Sequence, residues 1–230
     1  MNITEHLLAV KKDLPASVQL VAVSKYHPEE EILDAYHAGQ RTFGENIVQE
    51  LRLKQEHLPK DIEWHFIGHL QRNKVKYIAP FISLIHSIDS AELMAEIDRQ
   101  ARRFGRQIPV LLQVHLAQEE TKFGFLPEEC LHFLDEGTWK TLEGVRIDGL
   151  MTMASNVDDN DKIRSEFHHA NELYHTIKSR YFSDSPHFRL RSWGMSGDYK
   201  LAIEEGSNMI RVGSLIFGPR PARQTTNEPI

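Results

Sequence analysis

Cysteine is nearly absent from this chain: Cys130 is the single one among 230 residues. No intrachain disulfide can form, and a reducing compartment is expected. Long apolar runs are missing too. No segment approaches the ~18 consecutive apolar residues of a membrane-spanning helix, and the N-terminal MNITEHLLAVKKDLP has no basic stretch followed by an apolar run, so we expect a cytoplasmic protein without a leader or membrane contact. Positive charge is not in excess either. Lys and Arg total 27 against 33 Asp and Glu, giving a net charge of -6 and a pI near 6.1, a balance that gives nucleic acid no electrostatic foothold. No G-x-G-x-x-G follows the first strand-like run, and GENIVQE after the second lacks that glycine spacing. HExxH is absent, and Asp158, Asp159 and Asp161 lack the downstream glycine and glutamate of a calcium loop, so no metal is expected.

What is present is a core-forming composition, 40% hydrophobic and 26% charged, and a regular alternation. Short β-branched or aromatic runs occur at 19–24, 41–45, 63–68, 82–88, 109–115, 145–151, 188–194 and 209–214, separated by segments of helical period. Pro28 opens and Gly39 closes one helix; Pro127 and Gly137 bracket another. In 90-SAELMAEIDRQARRFG-105, Leu93, Ile97, Ala101 and Phe104 form one stripe, with Asp89 and Glu92 as a capping pair. Eight strands alternating with helices, preceded by an extra helix at about 3–12, predict a (β/α)8 TIM barrel over residues 1–218 as a single domain, with 219–230 as a flexible tail. An open doubly wound sheet is the alternative. The acidic loop 155–161 reads as exposed or disordered chain.

In such a barrel the ligand mouth lies at the C-terminal ends of the strands. Lys25 ends the first strand, where a lysine either snorkels to water or serves a ligand. Glu45 and Asn46 end the second, His65 to His69 surround the end of the third, and His86 and Ser87 end the fourth. After the seventh, Ser196 can cap a helix beginning at Gly197 and ending before Gly206. After the eighth, Gly213 lets a ligand approach the backbone and Ser214 adds a hydroxyl. Those two loops stand where such barrels hold phosphate. Arg211 shares the inward face of the eighth strand with Gly213. A ligand with a phosphate for the loops, an aldehyde for Lys25 and a ring for Arg211 would use all these groups, and pyridoxal 5′-phosphate is such a ligand.

The blocks VAVSKYHP, FGENIVQE, WHFIGHLQRNK, HSID, GLMTM, GMSGD and RVGSLIFG, spread from Val21 to Pro219, resemble in order those of the pyridoxal phosphate homeostasis proteins, whose fold is similar to the N-terminal barrel of bacterial alanine racemase. The resemblance implies a Schiff base to the cofactor on Lys25, phosphate contacts from Ser196, Gly197, Gly213 and Ser214, a ring-nitrogen contact from Arg211, and Asn46 beside the ring. It further implies a carrier or regulator of vitamin B6 and of amino and keto acid pools, with no established catalytic residues. Many relatives carry a second lysine two positions after the first; here that position is His27, which puts a transfer role at this position in doubt. Lys122 in 121-TKFG-124 resembles the family's lysine after the fifth strand and is a candidate secondary aldehyde site.

Plainer readings stand beside these. Arg211 could pair with Asp198 or Glu45. His65 and His69 have a spacing that would bind zinc only on a helix, which Gly68 and WHFI argue against, so positioning or core roles are expected for them. His168 and His169 suit a solvated helix face, and 72-RNKVK-76 a solvated helix end. An arginine at the ring nitrogen disfavours its protonation, because two positive charges would meet, and so opposes chemistry that needs the full electron sink. Racemisation would also require a second acid–base group opposite Lys25. Alanine racemases take it from a C-terminal domain, which is not expected in a chain ending at Ile230. The expected function is therefore binding and delivery of pyridoxal 5′-phosphate, by a monomer, to apoenzymes that depend on it. The alternative is a racemase-like enzyme using His65 or Tyr199 as second base, and a third is a cofactor-free barrel for sugar phosphates.

Overall fold

The computed structural model describes residues 2–116 and 123–219. The strands are β1 (Gln19–Val23), β2 (Thr42–Glu45), β3 (Glu63–Phe66), β4 (Leu84–Ile88), β5 (Ile108–Gln113), β6 (Val145–Met151), β7 (Leu190–Met195) and β8 (Met209–Val212). They close in sequence order, with β8 returning to β1 and all pairs parallel. The helices are α1 (Ile3–Lys12), α2 (Glu29–His37), α3 (Val48–His57), α4 (Val75–Ile78), α5 (Ala91–Arg103), α6 (Pro127–Glu136), α7 (Asn160–Tyr181), α8 (Tyr199–Glu204) and α9 (Ser214–Phe217). The barrel is the expected one, and the open sheet is excluded. Lys122 and residues 220–230 of the expected tail lie outside the described residues.

Alternation along each strand divides the apolar residues between two cores. Outward residues such as Leu20, Ala22, Phe43, Trp64 and Phe66 pack under the helices, while Val21, Leu84, Leu111, Met151 and Met209 form a separate plug inside the barrel. Above that plug the interior turns polar, so the mouth is chemically distinct from the floor. Cys130 is buried on α6, and burial pushes its thiol up to about 12, so it is an unreactive core residue.

Several local expectations shift by a residue or two. Ser90, not Asp89 with Glu92, caps α5 by accepting from Leu93 N, because its hydroxyl sits one residue before the first helical residue. Phe104 falls at the C-cap and is exposed, off the stripe that buries Leu93, Ile97 and Ala101. Pro28 is the N-cap of α2 rather than its first helical residue. In the acidic loop, Ser155 is buried, giving its hydroxyl to Glu166 Oε1 at 2.7 Å and its amide to Oε2 at 2.6 Å. Asp159 caps α7.

The extra helix α1 begins with a capping box in which Asn2 and Glu5 bond each other's amides. Its His6 Nδ1 lies 3.2 Å from Ile216 O of α9, the short helix that follows the loop after β8. It therefore braces the candidate phosphate loop from outside.

The pairing of β6 slips past Asp148, so that Val110 faces Ile147 while Leu111 faces Gly149. A Cβ on Gly149 would stand 1.8 Å from the carbonyl oxygen of Leu190 on the neighbouring strand. Gly149→Ala should therefore force β6 and β7 apart and destabilise the barrel by about 3 kcal/mol, as overpacking against backbone does. A thermal transition unchanged in this variant would show that the bulge absorbs the methyl group.

Candidate functional site

The sequence around Lys25 bends the chain sharply. Ser24 N still bonds Gly44 O at 3.0 Å, in the sheet pattern, and then Tyr26 takes φ +68°, the one left-handed non-glycine among the described residues. That conformation costs about 1–2 kcal/mol for an L-residue. It is held from behind. Tyr26 N donates to Glu50 Oε1 at 2.7 Å, and Lys54 Nζ donates to Ser24 O at 2.8 Å, Glu45 Oε1 at 2.8 Å and Glu50 Oε1 at 2.6 Å. Ser24 Oγ adds a 2.6 Å bond to Glu45 Oε1. Glu45, at the end of β2, is wholly buried under α3, and burial pushes its carboxyl up to about 7 against the pull of Lys54. Lys25 is thereby turned into the mouth by a buried ionic cluster on the far side of the sheet.

His27 follows, buried, with Nδ1 2.7 Å from Glu31 Oε2 and its ring stacked on Phe217 at 4.9 Å. At the end of β2, Asn46 presses on Gly68, where a Cβ would meet Asn46 at 2.6 Å. Asn46 Oδ1 is buried and has no hydrogen-bond partner.

The loops after β7 and β8 meet each other. Ser196 does not cap the following helix; α8 starts two residues later, at Tyr199, and Ser196 Oγ instead accepts from Gly213 N at 3.2 Å. Asp198 Oδ1 accepts from Met195 N at 2.5 Å, which tightens the turn and draws the helix start back. The expected helix-terminus cradle is thus a pair of cross-linked loops. Gly213 lies against β1, where a Cβ would come within 3.0 Å of Val23 O, while Gly197 has open space on that side.

Arg211 rises from the barrel interior, buried, with Nη1 donating to Ser192 O and Ser192 Oγ at 2.7 Å each and Nη2 to Thr152 O at 3.0 Å. Burial lowers it to about 10, with Asp198 opposing the shift, so it stays charged at neutral pH. The expected ion pair with Asp198 or Glu45 is not made: among the described residues Arg211 has neutral oxygens as partners, and Glu45 belongs to Lys54.

Lys25, Asn46, Ser196, Gly197, Arg211, Gly213 and Ser214 all line one cavity of about 300 Å³. Val23, Ile67 and Met153 complete its apolar wall, with Met195 at the rim. None of the four was singled out in the sequence, although strand alternation puts Val23 two before Lys25, Ile67 two after His65 and Met153 two after Met151. A larger surface groove of about 680 Å³ contains His69, Arg72, Asp89 and Arg99. It has exposed arginines but no Lys25, and His69 is engaged there, 3.1 Å from Asp89 and stacked on Phe123 at 3.8 Å.

His65 is not in the cavity lining. It lies in the barrel interior with Nδ1 3.0 Å from His86 Nε2, far from the role of an exposed second base, and Tyr199 is buried on α8. His168 sits on an exposed helix face 3.1 Å from Glu205. No group of three or more metal-ligating side chains occurs among the described residues.

Chemically, the cavity combines a lysine, a cation with no carboxylate in hydrogen-bond contact, an asparagine, and two serine–glycine loops. That set suits a flat aromatic ring bearing a phosphate and a carbonyl. Residues 1–221 match the family model of the alanine racemase N-terminal domain. The chain is 41% identical over 203 residues to the pyridoxal phosphate homeostasis protein of Aquifex aeolicus (strain VF5), covering 88% of this chain and 87% of that one. It is 40% identical over 217 residues to that of Schizosaccharomyces pombe (strain 972 / ATCC 24843), covering 92% and 88%. The structure of PipY from Synechococcus elongatus PCC7942 with PLP bound superposes with a TM-score of 0.86 at 38% identity, covering 94% of this chain and 100% of that one.

Proposed function

As this chain belongs to the pyridoxal phosphate homeostasis protein family, we propose that it binds pyridoxal 5′-phosphate in the cavity between Lys25 and Arg211 and serves its homeostasis and delivery inside the cell. The observation that carries this reading is the convergence of Lys25, Arg211 and the two serine–glycine loops on one cavity. The loops at Ser196–Gly197 and Gly213–Ser214 hold the phosphate. Lys25, turned inward by the Tyr26 bend, condenses its amine with the aldehyde, forming a Schiff base and releasing one water. Asn46, on the cavity wall, lies beside the ring. Arg211 meets the ring nitrogen as a cation, which disfavours a proton there.

When bound, the cofactor supplies an electron sink; this chain's residues do not exploit it fully. A racemase would need a second acid–base group across the ring, and neither His65 nor Tyr199 lines the cavity. The arrangement favours a carrier, working as a monomer in a reducing cytoplasm and passing cofactor to dependent apoenzymes. The buried, unpaired Cys130 thiol fits that setting. His27, tied to Glu31 and Phe217, does not take the place of a second amine in that transfer.

The test is borohydride reduction of cofactor-loaded protein followed by peptide mass spectrometry. The adduct is expected on the peptide containing Lys25. An adduct confined to peptides lacking Lys25 would overturn the site, and robust interconversion of D- and L-alanine by racemase-free protein would overturn the carrier reading.

A further inference from the structure

Behind Arg211, below the cavity, runs a file of buried polar side chains, Ser192, His86 and His65, that cofactor binding as described does not use. Arg211 on β8 donates to Ser192 Oγ on β7 at 2.7 Å. Ser192 Oγ lies 3.0 Å from His86 Nδ1 on β4, and His86 Nε2 lies 3.0 Å from His65 Nδ1 on β3. The four residues are 0–4% exposed and span the barrel from one wall to the other. Polar groups are not placed there by default: the layer beneath is the apolar plug of Val21, Leu84, Leu111, Met151 and Met209. Removing any one link strands a buried donor or acceptor.

The direction of the file follows from its charged end. A guanidinium can only donate, so Ser192 Oγ accepts from Arg211 and gives its own proton to His86 Nδ1. His86 then carries its proton on Nε2 and gives it to His65 Nδ1, which leaves His65 protonated on Nε2. The opposite order would leave the Ser192 proton without an acceptor among the described partners. Burial holds both imidazoles neutral, His65 at about 3 and His86 well below its ordinary value, with His65 and Arg211 adding to the effect on His86.

We propose that Ser192, His86 and His65 are positioning residues that orient the Arg211 guanidinium toward the ring nitrogen of bound pyridoxal 5′-phosphate through a one-directional hydrogen-bond file. The proposal rests on the cofactor reading above. Arg211 Nη1 is fixed by two acceptors on Ser192, one of which, Oγ, keeps its lone pair aimed at the guanidinium only while its hydrogen is held by His86. Without His86 the hydroxyl rotates, and the guanidinium can swing with it.

Two measurements test this. In wild-type protein, ¹⁵N spectra of labelled histidines are expected to show His65 and His86 as neutral Nε2–H tautomers throughout pH 6–8. Either ring found as the Nδ1–H tautomer, or titrating in that range, overturns the file whatever ligand binds. In cofactor-loaded protein carrying ¹⁵N in the pyridine ring, His86→Leu is expected to move the ring-nitrogen resonance and to speed cofactor release about tenfold, the loss of one well-placed bond to a charged group. His86→Asn, whose amide oxygen can accept from Ser192, is expected to restore both. A merely structural role would lower thermal stability and leave the ring-nitrogen resonance in place, and that result overturns the proposal. If wild-type protein forms no reducible adduct with the cofactor, the cofactor reading fails, while the histidine spectra still judge the file.

Discussion

Lys25→Ala should abolish covalent retention of pyridoxal 5′-phosphate and leave the cofactor-free barrel folded. Lys25 is half-buried at the mouth, and the bonds that shape its loop run through Ser24 O and Tyr26 N to Lys54 and Glu50, so truncating the side chain leaves them in place. The phosphate loops and Arg211 also remain, and the variant should therefore bind the cofactor reversibly. Gel filtration after loading, followed by an absorbance spectrum, separates the outcomes: wild type keeps the chromophore and the variant elutes without it. Thermal unfolding gives a second view. Stabilisation by a reversible ligand follows RT ln(1 + [L]/Kd), so that of Lys25→Ala should vanish on dilution whereas that of wild type persists. Retention by the variant would mean that another amine takes the aldehyde, and Lys25→Ala combined with Lys122→Ala would show whether it is Lys122.

The largest effect on the fold should come from Lys54→Met. Lys54 is 4% exposed and satisfies Glu45, Glu50 and the carbonyl of Ser24. Removing the cation leaves the wholly buried Glu45 without its counter-charge, a change worth on the order of 3–5 kcal/mol. The loss should depend on pH. Burial raises the folded value of Glu45 to about 7, against an ordinary 4.5. Its contribution to stability is therefore fully present below about 4.5 and lost as pH rises through about 7. In that upper range an ionised Glu45 leans on Lys54 most heavily, so Lys54→Met should be more damaging at pH 8 than at pH 5. Glu45→Gln should flatten the wild-type decline across the same interval. Urea unfolding at the two pH values measures both, and an equal loss at each pH would show that Glu45 titrates as an ordinary carboxyl. Because the same cluster holds Tyr26 at φ +68°, Lys54→Met should also slow adduct formation at Lys25.

The chemistry of the mouth was legible where it follows from strand position. Lys25, Asn46, Arg211 and Gly213 stand at or near strand ends, and the period-2 alternation of a β-strand tells which of them share a face. Both loop serines line the cavity, but Ser196 makes a different bond from the one its local sequence predicts. Ser196 reads as a helix cap because a serine before a glycine and an apolar-periodic segment is what a cap looks like. Its actual partner, Gly213 N, is 17 residues away. For His65 the sequence leaves open a place beside the ligand and a positioning or core role, and its partner, His86, makes it an interior link.

By itself the sequence determined the barrel, through eight apolar runs alternating with helical segments, and which residue types stand at the strand ends around one cavity. Those are local properties, set by backbone periodicity and by what glycine, serine and lysine can do. The tertiary structure decided the rest: that Lys54 and Glu50 hold the bend at Tyr26, that Arg211 has no carboxylate partner among the described residues, and that Ser192, His86 and His65 stand behind it. Closing the sheet sets β3 and β4 across the interior from β7 and β8, so His86 and Ser192, 106 positions apart, come within hydrogen-bond distance. A bond between residues so far apart depends on closure and register, and no local period in the chain encodes it.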